Sequence, residues 1–252
     1  MENTLRIEID GRAVNAETLW SVASAHGHFT AMQVRASRTR GLALHLDRLT
    51  AATTELFDAE LDRERVLRLM RHGLGDMADA SLRVYVFDRA DNPAIMVTVR
   101  PPGAVATPQR LQSVPYQRPD PHLKHLATGQ GFYTRLARRN GFDEALLTGG
   151  GVVSETATAN ICFFDGTGFV WPDAPQLHGI TMQLLERRLP ELDVPSVRRP
   201  VSLDDVASFA GAFVTNARGV AAVSAIDDTA LATAEQLELL AAAYASVPWE
   251  PL

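Results

Sequence analysis

Lysine is almost missing from this chain. Of its 252 residues, 24 are lysine or arginine, and 23 of those are arginine, which leaves Lys124 alone. A guanidinium supplies positive charge but never loses its proton and never forms an imine. Replacement of lysine by arginine wherever only charge is wanted, together with abundant alanine, fits a GC-rich coding sequence. A lysine kept against that drift is a candidate for chemistry that needs a primary amine. Cysteine is nearly missing too. Cys162 is single, so no internal disulfide can form, and the polar N-terminal stretch MENTLRIEIDGRAVNAE is not expected to act as a secretory leader. A bacterial-type cytoplasmic setting is expected. No apolar run approaches the roughly 18 residues that span a bilayer. The net charge of −6 lacks the positive excess of a nucleic-acid binder. A hydrophobic share of 46% with 21% charged residues argues against a disordered chain. Also missing are GxGxxG after a strand, the phosphate loop GxxxxGK, HExxH and GxSxG. The seven histidines show no ligand spacing, so no metal is expected.

What is present reads as mixed strands and helices. LRIEIDG (4–10) and HFTAMQVR (28–35) alternate as strands. LHLDRLTAATTEL (44–56) has helical period, with Leu46, Leu49 and Leu56 to one side. A second helix is expected from 61 or 62 to His72, closed by Gly73 and Gly75, then strands over 81–88 and 94–100 about an ADNP turn. The stretch PPGAVATPQ (101–109) cannot lie inside a helix or a central strand. It reads, with the residues to about 120, as a link between a small domain (1–103) and a larger one (121–252). The larger part begins with Lys124. It continues with a helix over 131–140 capped by Gly141, and strands about the glycine turn of DEALLTGGGVVSETATANICFF. A helix opens at 179–181, and Ser202 caps a short helix. Another strand pair spans 211–227, and an alanine-rich helix closes the chain over 233–245. Without strict βαβ alternation the class is α+β, an α/β mixture with no doubly wound sheet.

The chemistry concentrates in the second half. Lys124 stands in HLKHL, where apolar flanks favour the neutral amine a nucleophile needs. Glu155 lies in the strand VVSETATAN, with alternation that can turn it inward. The helix opening at Gly179–Thr181 offers backbone N–H groups and a hydroxyl to an anion. TNARG (215–219) is a second polar turn, and Arg48 sits beside Leu46 and Leu49 in the first half. Each has a plainer reading: a solvated helix arginine, an edge-strand carboxylate, a helix start, a turn asparagine. Together, an imine-forming lysine, a carboxylate, a helix N-terminus and an arginine are the set pyridoxal phosphate requires. The lysine holds the aldehyde, the carboxylate keeps the ring nitrogen protonated, and the other two hold the phosphate.

These residues stand in motifs that resemble one family, the class IV aminotransferases, pyridoxal phosphate enzymes of fold type IV. The family includes branched-chain aminotransferase, D-amino acid aminotransferase and 4-amino-4-deoxychorismate lyase. HLDRL (45–49) is similar to its HxxRL, implying that Arg48 contacts the cofactor phosphate. HLKHL (122–126) resembles the lyase's lysine segment, implying that Lys124 is the Schiff-base lysine. Residues 141–164 resemble the stretch ending in E-x-x-x-x-N-[IL]-F, which implies Glu155 opposite the pyridine nitrogen and Asn160 as the family's asparagine. LHGIT (177–181) and TNARGVAAV (215–223) resemble the phosphate turns, implying Ile180, Thr181, Thr215 and Asn216. The five motifs occur in the family's order.

The resemblance implies a two-domain fold, with a small N-terminal α/β domain and a larger, β-barrel-like C-terminal domain with helices. It also implies a homodimer acting on an amino acid and a 2-oxo acid. The substrate side departs from the pattern. Gly129 stands where aminotransferase members place a tyrosine after the lysine, and AHGHFTAMQVR lacks the acidic residues of GDGvFE, with Gln33 in place of an arginine. Neither carboxylate-binding motif of the family is evident near Arg83. Transamination is the leading expectation. Elimination to p-aminobenzoate and pyruvate is the alternative, and a cofactor-binding protein without turnover is the third.

Overall fold

The computed structural model describes residues 6–13, 26–89, 92–232 and 235–252. Residues 4–5 of the first expected strand, half of the ADNP turn and the start of the last expected helix lie outside these. The chain falls into two compact units. The first holds Met1–Gly103, Leu123–Ala127 and Pro248–Leu252; the second holds Ala104–His122 and Thr128–Val247. Lys124 thus clusters with the first unit, although the sequence places it after the proline-rich stretch.

In the first unit, β1 (Arg6–Ile9), β2 (Arg12–Ala13), β3 (Gly27–Val34), β5 (Ala80–Phe87) and β6 (Ala94–Arg100) form an antiparallel sheet in the order β2-β1-β6-β5-β3. A short β4 (Arg38–Thr39) pairs with β16 (Glu250–Pro251). Helices α1 (Leu42–Phe57) and α2 (Arg63–Leu74) cover one face of the sheet. Leu49 of α1 and Val66 and Met70 of α2 bury fully against Val34, Leu82, Val84 and Val97. Strand alternation decides which side chains face the helices: His28, Thr30, Met32 and Val34 are buried, whereas Phe29, Ala31 and Gln33 look the other way, half-buried. Asp62 caps α2 by accepting from the Arg65 N–H, and Gly75 ends it at φ 52°.

In the second unit, one long sheet runs in the order β12-β11-β10-β13-β14-β7-β8-β9. These strands are β7 (Gln109–Pro115), β8 (Glu144–Gly149), β9 (Val152–Thr156), β10 (Asn160–Phe164), β11 (Phe169–Pro172), β12 (Ser196–Arg199), β13 (Gly211–Asn216) and β14 (Gly219–Ile226). A ninth, β15 (Thr229–Ala230), hangs on β14. The sheet curls until its ends meet: the Val153 N–H of β9 donates to the Val201 carbonyl, just past β12, at 2.8 Å. Curling follows from strand twist, and it covers edges that would otherwise stay open. The inner face packs Leu111, Leu146, Ile161, Phe163, Val214 and Val223. Outside it lie α4 (Ile180–Glu191) and α5 (Glu235–Ala245), which bury Met182, Leu185, Leu189, Leu240 and Ala243 against Trp171 and Phe213. A third helix, α3 (Gln130–Arg139), lies on β8 and β7.

The 104–120 stretch does more than connect. Its prolines stand at the margins, and Gln109–Pro115 between them forms β7, paired in parallel with both β14 and β8. Proline spacing marked where the chain leaves regular structure; it could not show that the seven residues between re-enter a sheet. The expected cap of α3 moves by one residue, from Gly141 to Asn140. Ser202 does cap a helix, a 3₁₀ turn over Leu203–Ser208, through a capping box with Asp205. Among the described residues no helix is long and apolar enough to cross a membrane.

Candidate functional site

The first unit holds Lys124 by strand-like pairing. The Phe29 N–H donates to the Lys124 carbonyl and the Leu126 N–H donates to the Gly27 carbonyl, both at 2.9 Å, with an antiparallel bridge between His28 and His125. The segment is thereby clamped along the start of β3. Lys124 Nζ lies 4.9 Å from the centroid of the Phe29 ring. That ring stacks on Tyr85, with centroids 5.3 Å apart. The amine therefore rests on an aromatic floor built from the open face of the sheet.

Arg48 comes from α1, three residues after His45, so both project from one side of the helix. Burial lowers the Arg48 guanidinium to about 10, which leaves it a cation at neutral pH. His45 is buried, and its Nδ1 lies 2.6 Å from the Thr30 hydroxyl. Burial first, then the charges of Arg48 and Lys124, push His45 down to about 3. The imidazole is thus a neutral hydrogen-bonding group set beside two cations. His28, also buried, is lowered by burial to about 4, and its Nε2 meets the Thr53 hydroxyl at 3.0 Å.

The second unit carries the remaining sequence-selected residues on β9, β10, β13 and the start of α4. β10 and β13 pair so that Asn160 lies opposite Thr215. The Asn160 amide donates to Gln176 Oε1 at 2.9 Å and to the Leu177 carbonyl at 2.7 Å, which fixes the approach to α4. Gly179, the N-cap of α4, passes so close that a Cβ there would stand 1.9 Å from Asn160 Oδ1. The first-turn N–H groups of Ile180, Thr181 and Met182 have no partner within the helix, and no side chain caps them. The Thr181 hydroxyl donates to the Asn216 carbonyl at 2.8 Å, tying α4 to the β13–β14 turn. The sequence offered that hydroxyl to an anion; the fold spends its proton on Asn216, and the Thr181 N–H is what remains to donate. Asn216 Oδ1 in turn accepts from the Arg218 N–H at 2.9 Å.

Glu155 lies in β9, 4% exposed, and Oε1 accepts from Arg118 Nε at 2.8 Å. Arg118 is itself 3% exposed and donates Nη2 to the Pro121 carbonyl. The other carboxylate oxygen, Oε2, lies 3.4 Å from the Leu177 N–H, a long contact. Sequence reading passed over Arg118. One arginine in the proline-rich stretch carries no signal that separates it from the other arginines, and only the fold shows that it is buried with a carboxylate. Gly129, where the resembling family has a tyrosine, is the N-cap of α3 at φ 64°. The hydroxyl of Tyr116 stands 3.4 Å from where its Cβ would be, and donates to the Thr128 carbonyl at 2.7 Å.

The donor set suits pyridoxal phosphate on its own chemistry. The Thr215 hydroxyl is buried and has no hydrogen-bond partner among the described residues. A buried orphan of this kind is costly unless a ligand satisfies it. It sits beside a helix N-terminus whose N–H groups and dipole favour an anion such as phosphate. The buried Glu155 carboxylate of the same unit is of the kind a ring nitrogen calls for, and the first unit by itself holds a primary amine and a cationic guanidinium, the groups that an aldehyde and a phosphate call for.

The family model for amino-transferase class IV matches residues 27–226. Among solved structures, the chain is similar to branched-chain aminotransferase from Thermoproteus uzoniensis, crystallised with norvaline, at 18% identity and TM-score 0.84, covering 95% of this chain and 93% of that one. An aminotransferase from Brucella abortus bound to the cofactor PLP is similar at 21% identity and TM-score 0.82, covering 95% and 97%. A putative 4-amino-4-deoxychorismate lyase from Legionella pneumophila is similar at 17% identity and TM-score 0.76, covering 87% and 90%. No curated protein matches. At these identities the likeness establishes that the chain has the mixed α+β fold of those structures.

Proposed function

Since the chain belongs to the class IV aminotransferases, the enzymes that use pyridoxal phosphate, we propose that it moves an amino group between an amino acid and a 2-oxo acid. Lys124 is the attachment point. The observation that carries this reading is the chain's single primary-amine side chain, clamped to β3 by two backbone hydrogen bonds. When bound, pyridoxal phosphate supplies an aldehyde that condenses with amines and a ring that accepts the electron pair left at the substrate Cα. Lys124 Nζ would hold the aldehyde and, once its amine is free, would serve as base and then acid toward the substrate Cα proton. Glu155 would offer its carboxylate to the ring nitrogen and favour a proton there. Arg48, the N–H groups of Ile180 and Thr181, the Thr215 hydroxyl and Asn216 would hold the phosphate.

Borohydride reduction followed by peptide mapping tests the attachment. It should leave the coenzyme irreversibly on the peptide that carries Lys124, and Lys124→Ala should lose the absorbance band of the imine. A variant that keeps the imine band would overturn the assignment. The reaction is read separately. Transamination consumes a 2-oxo acid in step with the amino donor, whereas release of pyruvate from an amino-substituted chorismate with no acceptor present would place the protein with the lyases. The homodimer implied by the resemblance is part of the same reading, and its test is sedimentation of the loaded protein.

A further inference from the structure

We infer that Glu250 is a positioning residue for binding of the coenzyme phosphate: it closes the start of α1, the helix that carries Arg48. The inference rests on the reading of Arg48 given above. α1 begins without a cap of its own. Gly41 precedes it in the left-handed region, at φ 67°, and has no side chain to offer, and the first turn holds no acidic residue. The N–H groups of that turn have no partner within the helix. An acceptor arrives from 208 positions along the chain, where Glu250 Oε1 accepts from the Leu42 N–H at 3.1 Å. A carboxylate at this end of a helix satisfies an orphan donor and also favours the positive end of the helix dipole.

The segment around Glu250 is built to bring it there. β16 pairs with β4 so that Glu250 lies opposite Thr39 and Pro251 opposite Arg38. So short a ladder is not stable alone, and side chains reinforce it. Arg38 donates Nε and Nη2 to the Trp249 carbonyl at 3.0 and 2.7 Å, and the Arg40 guanidinium lies 4.1 Å from the centroid of the Trp249 ring. The Leu252 N–H donates to the Ser37 carbonyl at 3.2 Å, and its side chain packs on the core of the first unit. These hydrogen bonds fall on residues 37–42, the connection that leads into α1. The helix bears His45 at the end of its first turn and Arg48 in its second, and the His45 N–H meets the Gly41 carbonyl at 3.1 Å. If the first turn opens, that bond is lost, and Arg48 loses the turn it stands on. With Glu250 in place the turn is closed before coenzyme arrives, and the phosphate meets a guanidinium already placed. Without it the frayed turn becomes populated, and apparent affinity falls with the fraction of molecules in which Arg48 is held.

The test titrates the whole cofactor-free chain with pyridoxal phosphate and, separately, with pyridoxal, which lacks the phosphate. Glu250→Ala should raise the Kd of pyridoxal phosphate about fivefold, the fold-change of a typical lost helix cap, and leave that of pyridoxal unchanged. Hydrogen exchange at the Leu42 amide should quicken in the same variant. Glu250→Gln, which keeps the acceptor, should restore most of the wild-type preference for the phosphate. Should the alanine variant fold poorly, Arg38→Ala loosens β16 from an exposed position and should lower the same preference. In an Arg48→Gln background, Glu250→Ala should leave the two constants in the ratio that Arg48→Gln alone gives. A Kd that rises equally for both compounds, or for neither, overturns the inference, because a residue that only supports the fold does not single out the compound with the phosphate. If Arg48→Gln itself leaves the wild-type ratio, the assignment of Arg48 fails and the inference falls with it; a ratio moved by Arg48→Gln and untouched by Glu250→Ala sinks the inference alone.

Discussion

Acid should unfold this protein through two histidines. His28 and His45 are 1% and 4% exposed, and burial lowers them from 6.5 to about 4 and about 3. Both are neutral in the folded state and titrate normally once unfolded. Between those values the unfolded chain binds the extra protons, so stability rises with pH across this window. Their contribution is whole above 6.5 and drains away as pH falls toward the folded values. At pH 5 the unfolded side chains lie roughly 1.5 pH units below their midpoint while the folded ones remain almost wholly neutral, which costs about 2 kcal/mol per histidine and about 4 kcal/mol for the pair. That is a large part of the roughly 5–15 kcal/mol that holds a typical domain. The measurement is urea unfolding of cofactor-free protein by circular dichroism at pH 7, 6 and 5. His45→Asn keeps an acceptor where Nδ1 meets Thr30, and His28→Gln keeps a donor where Nε2 meets Thr53, whose own proton goes to the Leu49 carbonyl at 2.8 Å. Each should lower stability at pH 7 but flatten the loss between pH 7 and 5 by about 2 kcal/mol. If both variants keep the full wild-type pH dependence, the buried imidazoles are not what titrates and the reasoning fails.

Two further substitutions separate binding from folding. Thr215→Val removes a buried hydroxyl that has no partner among the described residues, so the cofactor-free protein should melt no lower and gain up to about 1 kcal/mol, while coenzyme Kd rises about tenfold or more. A lower melting temperature with unchanged Kd would show that the hydroxyl serves the fold. Gly179→Ala sets a methyl 1.9 Å from Asn160 Oδ1. Asn160 is pinned by Gln176 and Leu177, so the first turn of α4 must shift, costing about 1–3 kcal/mol and weakening coenzyme binding. Equal thermal stability and equal Kd in the alanine variant would mean that the turn has room the geometry denies.

The sequence by itself determined the local elements. Alternation wrote β3, β5 and β6, helical period wrote α1, and capping residues closed α2 and opened the 3₁₀ turn at Ser202, because each depends on neighbours a few residues away. It also singled out Lys124, since one amine among arginines is a property of composition. The tertiary structure decided what distance along the chain conceals. It made β7 a strand between β14 and β8, although prolines border it, since pairing partners come from residues 144–148 and 223–226. It turned the Thr181 hydroxyl toward Asn216, and it left the Thr215 hydroxyl without a partner among the described residues. It also buried Arg118 with Glu155, 37 positions away in the chain. Whether a charge is desolvated, and which charge answers it, depends on what the fold packs around it, and no periodicity in the sequence records that.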